Sequence, residues 1–258
     1  MKLSYAVLAS ALFISACSDA PQAPTTRIDQ LQQASPPPEM VVKPDFAKYE
    51  IVDEKKKAFV AFLKPGVDYI NGLIEKARVR LTQLSDTASP TKDDLAFLAK
   101  VAELFNLPLP ESGADKAWFD EALKRVDVIP SDLVLSQAAK ESGWGTSRFA
   151  REGNNYFGQW CYTSGCGMVP SARSQGKTHE VAAFKDAYQS VRAYFLNVNR
   201  NKAYSSLRDI RADLRKQGKP ITGVALSNGL GSYSERGQAY VDEVQGMIRY
   251  NEKYWSQG

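Results

Sequence analysis

The chain has 258 residues, of which 43% are hydrophobic and 24% are charged, and its formal net charge is +4. This composition is typical of a globular protein with a good core, and the length allows one or two domains. The small positive charge is scattered along the sequence, so nucleic-acid binding is not expected.

An export signal is predicted at the N-terminus. Lys2 precedes an apolar run over residues 5–14, which has the length of a signal-peptide core and is too short to span a bilayer. The run ends in the tetrapeptide ISAC at residues 14–17, which resembles the cleavage box of bacterial lipoproteins. We therefore predict that residues 1–16 are a signal peptide and that a lipid on Cys17 anchors the mature protein.

The compartment follows from that prediction. A lipoprotein of this kind faces the periplasm. The residue after Cys17 is Ser18 and not an aspartate, which by analogy favours the outer membrane over the inner membrane. The alternative is an ordinary signal peptide cut after Ala16, which leaves Cys17 as a free thiol.

Two segments are expected before the main domain. Residues 17–45 are rich in Pro, Gln, Ala and Thr, including PPP at residues 36–38, and this composition predicts a disordered tether. Residues 46–112 show helical periodicity and are predicted to form a helical accessory segment. Its first helix is expected to break at Pro65-Gly66. A further helix is expected to begin at Thr91, with Asp94 completing a capping box.

The main domain is predicted over residues 113–258. A helix is expected over residues 115–126, and Ser131 is the expected N-cap of a second helix from Asp132 to about Ser142. That second helix is apolar almost all round, so we expect it to be buried. Glu141 lies at its end.

Glu141 is the candidate functional carboxylate. Burial disfavours its charged form, the C-terminal end of a helix repels an anion, and Trp144 with Tyr156 or Phe157 would supply an apolar wall. All three effects raise the pKa of Glu141, which suits a general acid that keeps its proton at neutral pH. The alternative is an ordinary surface glutamate.

The remaining elements include a small β-structure. Residues 169–173 and 179–184 flank a turn at 174–177 and are predicted to form a hairpin. Helices are expected over residues 187–200, 205–217, 221–228 and 238–250. The GKT tripeptide at residues 176–178 is not expected to bind a nucleotide, since a strand rather than a helix follows it.

Cys161 and Cys166 remain once Cys17 is lipidated. In an oxidising compartment we expect these two cysteines to form a disulfide. A zinc pair is the alternative, but neither a second pair nor a nearby histidine completes a ligand set. We therefore expect no metal.

Four motifs carry a resemblance to a known family. Residues 137–145, QAAKESGWG, resemble the QAAxESGWG signature of the glucosaminidase family of peptidoglycan hydrolases. Residues 155–158, residues 183–190, and residues 230–240 are similar to its NLFGI, FRVYDSxxES and YATDPxYA motifs. The resemblance implies a mainly α, lysozyme-like α+β fold, a helical domain with one small β-hairpin lobe, and no cofactor.

The resemblance also implies roles for individual residues. Glu141 would be the acid and Tyr233 the active-site tyrosine, with Glu180 as the second catalytic carboxylate on the hairpin. Asp186 is less suited to that role, because it aligns with a helix-start aspartate. The residues expected to bind substrate are Trp144, Asn155, Tyr156, Phe157, Trp160 and Tyr240.

The predicted function is that of an endo-β-N-acetylglucosaminidase, which cleaves GlcNAc-β-1,4-MurNAc bonds in the glycan strands of peptidoglycan. The expected protein is a monomer without bound nucleotide or nucleic acid, tied to the outer membrane by its lipid. One alternative is a muramidase or lytic transglycosylase on the same fold, and the other is a non-catalytic peptidoglycan-binding lipoprotein.

Overall fold

The computed structural model describes Ile28, Leu31 and residues 35–170 and 178–255. The predicted signal peptide, Cys17 and residues 171–177 lie outside the described residues. Within them the chain forms ten α-helices and a three-stranded antiparallel sheet. The helices are α1 Val52–Ser85, α2 Lys92–Leu104, α3 Lys116–Arg125, α4 Ser131–Ser142, α5 Arg148–Gly153, α6 Ala187–Arg200, α7 Ser205–Lys216, α8 Gly223–Ser227, α9 Gln238–Tyr250 and α10 Glu252–Trp255.

The predicted tether is wrong for the part of it that the structure describes. Ile28 and Leu31 are buried in the core, and Met40 is buried against α1. The Lys43 ammonium donates hydrogen bonds to the carbonyl of Arg151 and to Asn154 Oδ1, at 2.6 and 2.7 Å. Composition misled here because a few apolar side chains, spaced between prolines, are enough to attach a segment to an existing core.

The predicted break at Pro65-Gly66 is also wrong, because α1 continues through both residues. Pro65 removes the hydrogen bond to the carbonyl of Ala61, but Ala61 is exposed, so water can satisfy that carbonyl. Gly66 serves packing instead. A Cβ at Gly66 would overlap Met40 Sδ, so a larger residue there would force the end of the Met40 side chain to move.

Residues 46–112 are not a separate accessory unit. Helix α1 packs against α3, α4 and α6, and its buried side chains join those of the later helices in one hydrophobic core. The capping box of α2 is confirmed, with the Thr91 hydroxyl accepting from the Asp94 amide and the Asp94 carboxylate accepting from the Thr91 amide. Local sequence therefore determines where α2 begins, while its buried side chains belong to the same hydrophobic core as those of the other helices.

Helix α4 has the predicted end but starts one residue earlier. Pro130 is the N-cap and Ser131 is the first helical residue, with its hydroxyl donating to Asp68 Oδ1 on α1. The helix ends where three consecutive residues, Gly143, Trp144 and Gly145, adopt left-handed backbone angles. A left-handed tryptophan is uncommon. Its ring packs edge-on against Phe59 and stacks on Trp255, which holds it in place.

The sheet differs from the predicted hairpin. Residues 169–170 of the first predicted strand are not in a strand, residues 171–173 lie outside the described residues, and the second strand is shorter than the predicted 179–184. Strands β1 Trp160–Cys161 and β2 Gly167–Met168 both pair with β3 Glu180–Ala182, which lies between them. Neither β1 nor β2 falls within a predicted strand, because each has only two residues, which is too short for a periodic pattern. The expected disulfide between Cys161 and Cys166 is confirmed, and it closes the loop between β1 and β2.

The mainly α, α+β fold class is confirmed. Helices α6 and α9 have the predicted bounds, and α7 ends one residue earlier than expected. The segment predicted over 221–228 contains the shorter helix α8. No helix among the described residues combines the length and the apolar character that a bilayer crossing requires.

Candidate active site

Glu141 opens onto a cavity of about 490 Å³. The cavity is lined by the loop around Gly158, by Trp160 and Tyr162 of the sheet lobe, by the last turns of α6 and by Tyr233. Glu141 is the only acidic side chain among the described residues that line it. A partly buried carboxyl group that opens onto a polar cavity is placed as a general acid would be.

Partial burial of the Glu141 side chain raises the pKa of its carboxyl group, as the sequence predicts. Two groups oppose that rise. Tyr240 donates a hydrogen bond from its phenol to Glu141 Oε1 at 2.9 Å, and the positive charge of Lys140 lies nearby. Because burial is the largest effect, the carboxyl group retains its proton to a higher pH than an exposed glutamate does.

A buried hydrogen-bond chain stands behind Glu141. The Tyr194 phenol donates to Gln137 Oε1, the Gln137 amide donates to the Tyr240 oxygen at 2.8 Å, and Tyr240 donates to Glu141. Gln137 and Tyr194 are fully buried, so the two bonds that Gln137 makes do not compete with water, while the Tyr240 bond reaches the partly exposed Glu141. Gln137 precedes Glu141 by one helical turn, which is the sequence signal that they share a face.

The donor and acceptor order of these hydrogen bonds decides which oxygen of Glu141 carries the proton. Since Oε1 accepts the Tyr240 hydrogen bond, the acidic proton belongs on Oε2. Oε2 lies beside Gly158, where an added Cβ would come within 3.8 Å of it, and Gly158 lines the cavity. The fixed tyrosine therefore presents the proton of Glu141 to the cavity.

Removing that hydrogen bond tests the arrangement. In Tyr240→Phe we expect the pKa of Glu141 to rise, because the bond to the charged form is lost. The alkaline limb of the pH profile of kcat/KM then moves to higher pH, while kcat falls by about tenfold as Glu141 loses its fixed orientation. The matched control is Tyr188→Phe, which removes a buried phenol oxygen that has no hydrogen-bond partner among the described residues. An unshifted alkaline limb in Tyr240→Phe would contradict the role of Tyr240.

Tyr233 lies at the cavity as the family motif implies. Its phenol donates to the carbonyl of Phe157 at 3.0 Å, and its ring stacks on Tyr240 with centroids 5.4 Å apart. Desolvation, reinforced by the neighbouring Tyr240, raises the pKa of Tyr233, so the phenol stays neutral. Tyr233 is thus suited to positioning the 157–158 loop and to contacting a neutral substrate group.

The aromatic residues that line the cavity differ from the expected set. Trp160, which is expected to bind substrate, lies at its edge and is 51% exposed. Tyr162, at 79% exposure, lines the same cavity and is absent from the predicted set. Tyr162 lies in the short loop closed by the disulfide. The spacing of the two cysteines is the sequence signal that could have identified this loop, and with it Tyr162.

Three residues expected to bind substrate lie elsewhere. Tyr156 is fully buried between Phe59 and Phe62 in the core. Trp144 is stacked on Trp255, and neither Trp144 nor Tyr156 is among the described residues that line the cavity. Tyr240 is buried behind Glu141 and acts through it. The pattern of aromatic residues alone does not separate a core position from a groove position.

Asn155 and Phe157 support the loop that faces Glu141. The Asn155 amide donates to the carbonyls of Gln159 and Ala182, both at 2.9 Å, which ties the loop to β3. Phe157 touches the cavity, but its ring is buried and stacks on Tyr194 with centroids 4.3 Å apart. Asn155 is fully buried and so holds the loop rather than a sugar.

The two carboxylates expected near the hairpin are engaged with backbone amides. Glu180, buried in β3, accepts hydrogen bonds from Gly165 at Oε1 and from Gly167 at Oε2, at 3.0 and 2.8 Å. Asp186 caps α6 by accepting from the Gln189 amide, which is the helix-start position expected for it. Neither is among the described residues that line the cavity.

Glu180 also lies near both sulfurs of the disulfide, and cysteine and glutamate are residue types that bind zinc. One ligand atom each from Cys161, Cys166 and Glu180 lie within 4.8 Å of one another. Both sulfurs are joined in the disulfide, however, and zinc binds cysteine as the thiolate. The three residues therefore do not fit a zinc site in this oxidised form.

The position of Glu180 leads to a further prediction. Glu180→Ala removes two charge-assisted acceptors from the disulfide loop, so we expect the free energy of unfolding to fall by about 2 kcal/mol and the activity to decrease. Added azide should not restore the activity, because azide replaces a missing nucleophilic carboxylate and not a structural one. Thermal unfolding and assays with and without azide measure these effects. Restoration by azide would establish Glu180 as the second catalytic carboxylate.

Comparisons with known proteins show similarity to one family. The glucosaminidase family, described as mannosyl-glycoprotein endo-beta-N-acetylglucosaminidase, matches residues 116–253. The chain is 33% identical over 210 residues to Protein bax of Escherichia coli (strain K12), an alignment that covers 81% of this chain and 74% of that protein. No solved structure matches the chain significantly.

A shorter similarity concerns Outer membrane protein SlpA of Thermus thermophilus. The two are 38% identical over 79 residues, which is 30% of this chain and 8% of SlpA.

The family match contains Glu141, the buried hydrogen-bond chain behind it and Tyr233. With more than half of the sequence matched and a relative aligned over most of both chains, the protein belongs to the glucosaminidase family, a family of glycosidases.

Proposed function

We propose that this protein is an endo-β-N-acetylglucosaminidase that cleaves the glycan strands of peptidoglycan, with Glu141 as the general acid. The observation that carries the proposal is the environment of Glu141. It is the only acidic side chain among the described residues lining the cavity, burial raises its pKa, and Tyr240 occupies one of its two oxygens. Glu141 protonates the departing glycosidic oxygen through Oε2.

In this proposal the substrate itself supplies the nucleophile that attacks the opposite face of the sugar ring. Glu180 and Asp186 both accept backbone hydrogen bonds, and residues 171–177 contain no Asp or Glu in their sequence. The 2-acetamido group of N-acetylglucosamine is itself a nucleophile, and substrate-assisted glycosidases use it in place of a second carboxylate. Its carbonyl oxygen attacks the anomeric carbon as the glycosidic bond breaks and Glu141 protonates the departing oxygen. Water then opens the cyclic intermediate and gives a proton to the Glu141 carboxylate, which restores the acid.

The lining of the cavity suits a sugar polymer. Trp160 and Tyr162 present exposed rings at one edge, and sugar rings stack on such surfaces. Glu141 lines the same cavity, together with polar side chains of α6. A glycan chain bound against the aromatic edge would bring a glycosidic oxygen within reach of the Glu141 proton.

We further propose a periplasmic location with a lipid on Cys17. The lipoprotein-like ISAC box supports the lipid, and the Cys161–Cys166 disulfide is of the kind that forms in an oxidising compartment. Outer-membrane attachment is part of this proposal and rests on Ser18. Metabolic labelling with palmitate, compared with a Cys17→Ala variant, tests it.

Digestion of purified sacculi tests the proposed activity. Mass spectrometry of the products should find new reducing ends at N-acetylglucosamine. Reducing muramic ends would indicate a muramidase, and anhydromuramic ends a lytic transglycosylase, which also fits a site with one carboxylate. Retained sacculus binding without any product would indicate a binding protein and would overturn the enzymatic proposal.

A further inference from the structure

A second cavity adjoins the one that contains Glu141. It measures about 620 Å³ and shares three lining residues with the first cavity, namely Asn197, Arg200 and Asn201. It lies where the end of α6, the start of α7 and the region after α2 meet. A polymer bound at Glu141 can therefore extend into the second cavity without leaving the surface.

The second cavity is strongly basic. Arg125, Arg200, Lys202 and Arg208 line it, and Glu121 is the only acidic residue among the described residues that do. Arg125 pairs with Glu121 at 2.7 Å, so one of the four cations is neutralised. The remaining three leave an excess of positive charge beside the catalytic cavity.

Arg208 is the least expected of these cations. It is only 4% exposed, and no carboxylate of the described residues lies within ion-pairing distance of it. Burial lowers the pKa of its guanidinium. Its Nη1 donates to the carbonyls of Val198 and Asn201, at 2.9 and 2.8 Å, while its other two nitrogens have no hydrogen-bond partner among the described residues. A buried cation with unused donors at a cavity wall is the mark of an anion site.

The backbone carbonyls that contact these arginines hold them in position. Arg125 donates to the carbonyls of Phe105 and Asn106, and Arg200 donates to that of Leu104, all at the end of α2. Capping of helix ends explains why the arginines are there. These hydrogen bonds engage one nitrogen of each guanidinium group. The guanidinium groups are therefore held at the cavity before any ligand binds, and their excess positive charge faces it.

We propose that this second cavity binds a carboxylate carried by the muramyl residues of the same glycan strand that is cleaved at Glu141. The inference rests on the proposed function, and it adds a recognition site for the charged part of the polymer. Two sources share this chemistry. One is the free lactyl carboxylate of a strand without peptides, and the other is a carboxylate of the stem peptide.

Binding of small, uncleavable probes tests the proposal independently of catalysis. The probes are N-acetylmuramic acid with a free lactyl carboxylate, muramyl dipeptide with its carboxylate on the peptide, and neutral N-acetylglucosamine. Titrations of the full chain by NMR measure their dissociation constants. We expect at least one anionic probe to bind more tightly than the neutral sugar, and this preference to weaken as salt is added.

The test variant is Arg200→Gln/Lys202→Gln, since both residues are exposed and the exchange removes one hydrogen bond from the fold, that of Arg200 to the carbonyl of Leu104. Thermal unfolding checks that the variant is folded. We expect it to weaken binding of the anionic probe by about tenfold, or about 1.4 kcal/mol. The matched control is Lys92→Gln/Lys219→Gln, which removes the same charge from exposed positions outside both cavities. A third variant, Arg208→Gln, is compared only after its thermal unfolding shows a folded protein.

The outcomes separate the two claims. Preferential binding of N-acetylmuramic acid identifies the lactyl carboxylate as the source, and preferential binding of muramyl dipeptide identifies the peptide. Equal binding of all three probes, or unchanged binding by Arg200→Gln/Lys202→Gln, overturns the inference. If sacculi are not cleaved while the anionic preference is present, the glycosidase proposal fails and the carboxylate site stands.

Discussion

Replacement of Glu141 by glutamine is expected to lower the release of glycan fragments from sacculi by about a thousandfold, the range typical for loss of a general acid. Glutamine has the shape of glutamate and can still accept the Tyr240 hydrogen bond through its carbonyl oxygen. It has no proton to give to the departing oxygen. The rate of release of soluble products, separated by chromatography, measures the effect.

Binding separates a catalytic role from a structural one. Glu141→Gln should co-sediment with sacculi as the unchanged protein does, because the lining of the cavity is preserved. The matched control is Glu235→Gln, an exposed glutamate two residues from Tyr233 that does not line the cavity. It should keep full activity. Activity of Glu141→Gln within about threefold of that control would contradict the assignment of the acid.

Asp127→Asn is expected to have the largest effect on stability. Asp127 is buried and accepts two hydrogen bonds from Arg215, at 2.6 Å each, while Arg78 lies 3.2 Å from its Oδ2. Arg211, fully buried, approaches the same oxygen at 3.7 Å, and burial lowers its pKa to about 10. The cluster connects α1 and α7 through the segment after α3. The neutral amide leaves the buried arginines uncompensated, so we expect a loss of about 3 kcal/mol in the free energy of unfolding.

Thermal unfolding followed by circular dichroism measures this loss. For a domain of this size, about 3 kcal/mol corresponds to a decrease in Tm of about 10 °C. The matched control is Asp120→Asn, whose partner Lys116 is exposed, as Asp120 is. Screening by water makes such a pair weak, so its Tm should stay within about 1 °C. Equal Tm values for the two variants would show that the buried cluster contributes no net stability.

The positions of most helices were predictable because their signals are local. Thr91 and Asp94 satisfy each other's amides within one turn, and the apolar spacing from Leu133 to Ala139 needs no distant partner to favour a helix. Pro65 shows the limit of local rules. Its lost hydrogen bond falls on the carbonyl of Ala61, an exposed residue. Phe62, Leu63 and Val67 are all buried, so tertiary packing stabilises the helix through Pro65.

The candidate site was predictable in part for the same reason. The motif around Glu141 is contiguous in sequence, and the family match over residues 116–253 contains it. The tyrosine that orients Glu141 lies 99 residues later in the chain, and Tyr194 lies 57 residues after Gln137. Sequence motifs marked Tyr240 as a member of the site, but no local signal showed that its hydroxyl points at Glu141.

The sequence by itself determined the helical pattern, the cysteine pair and the glucosaminidase motifs, since each depends on residues a few positions apart. Only the tertiary structure decided which side of the core each aromatic residue faces. It buried Tyr156, left Trp160 at the cavity, and occupied both oxygens of Glu180 with backbone amides. Burial and hydrogen-bond partners depend on contacts between distant segments, and those contacts exist only once the chain has folded.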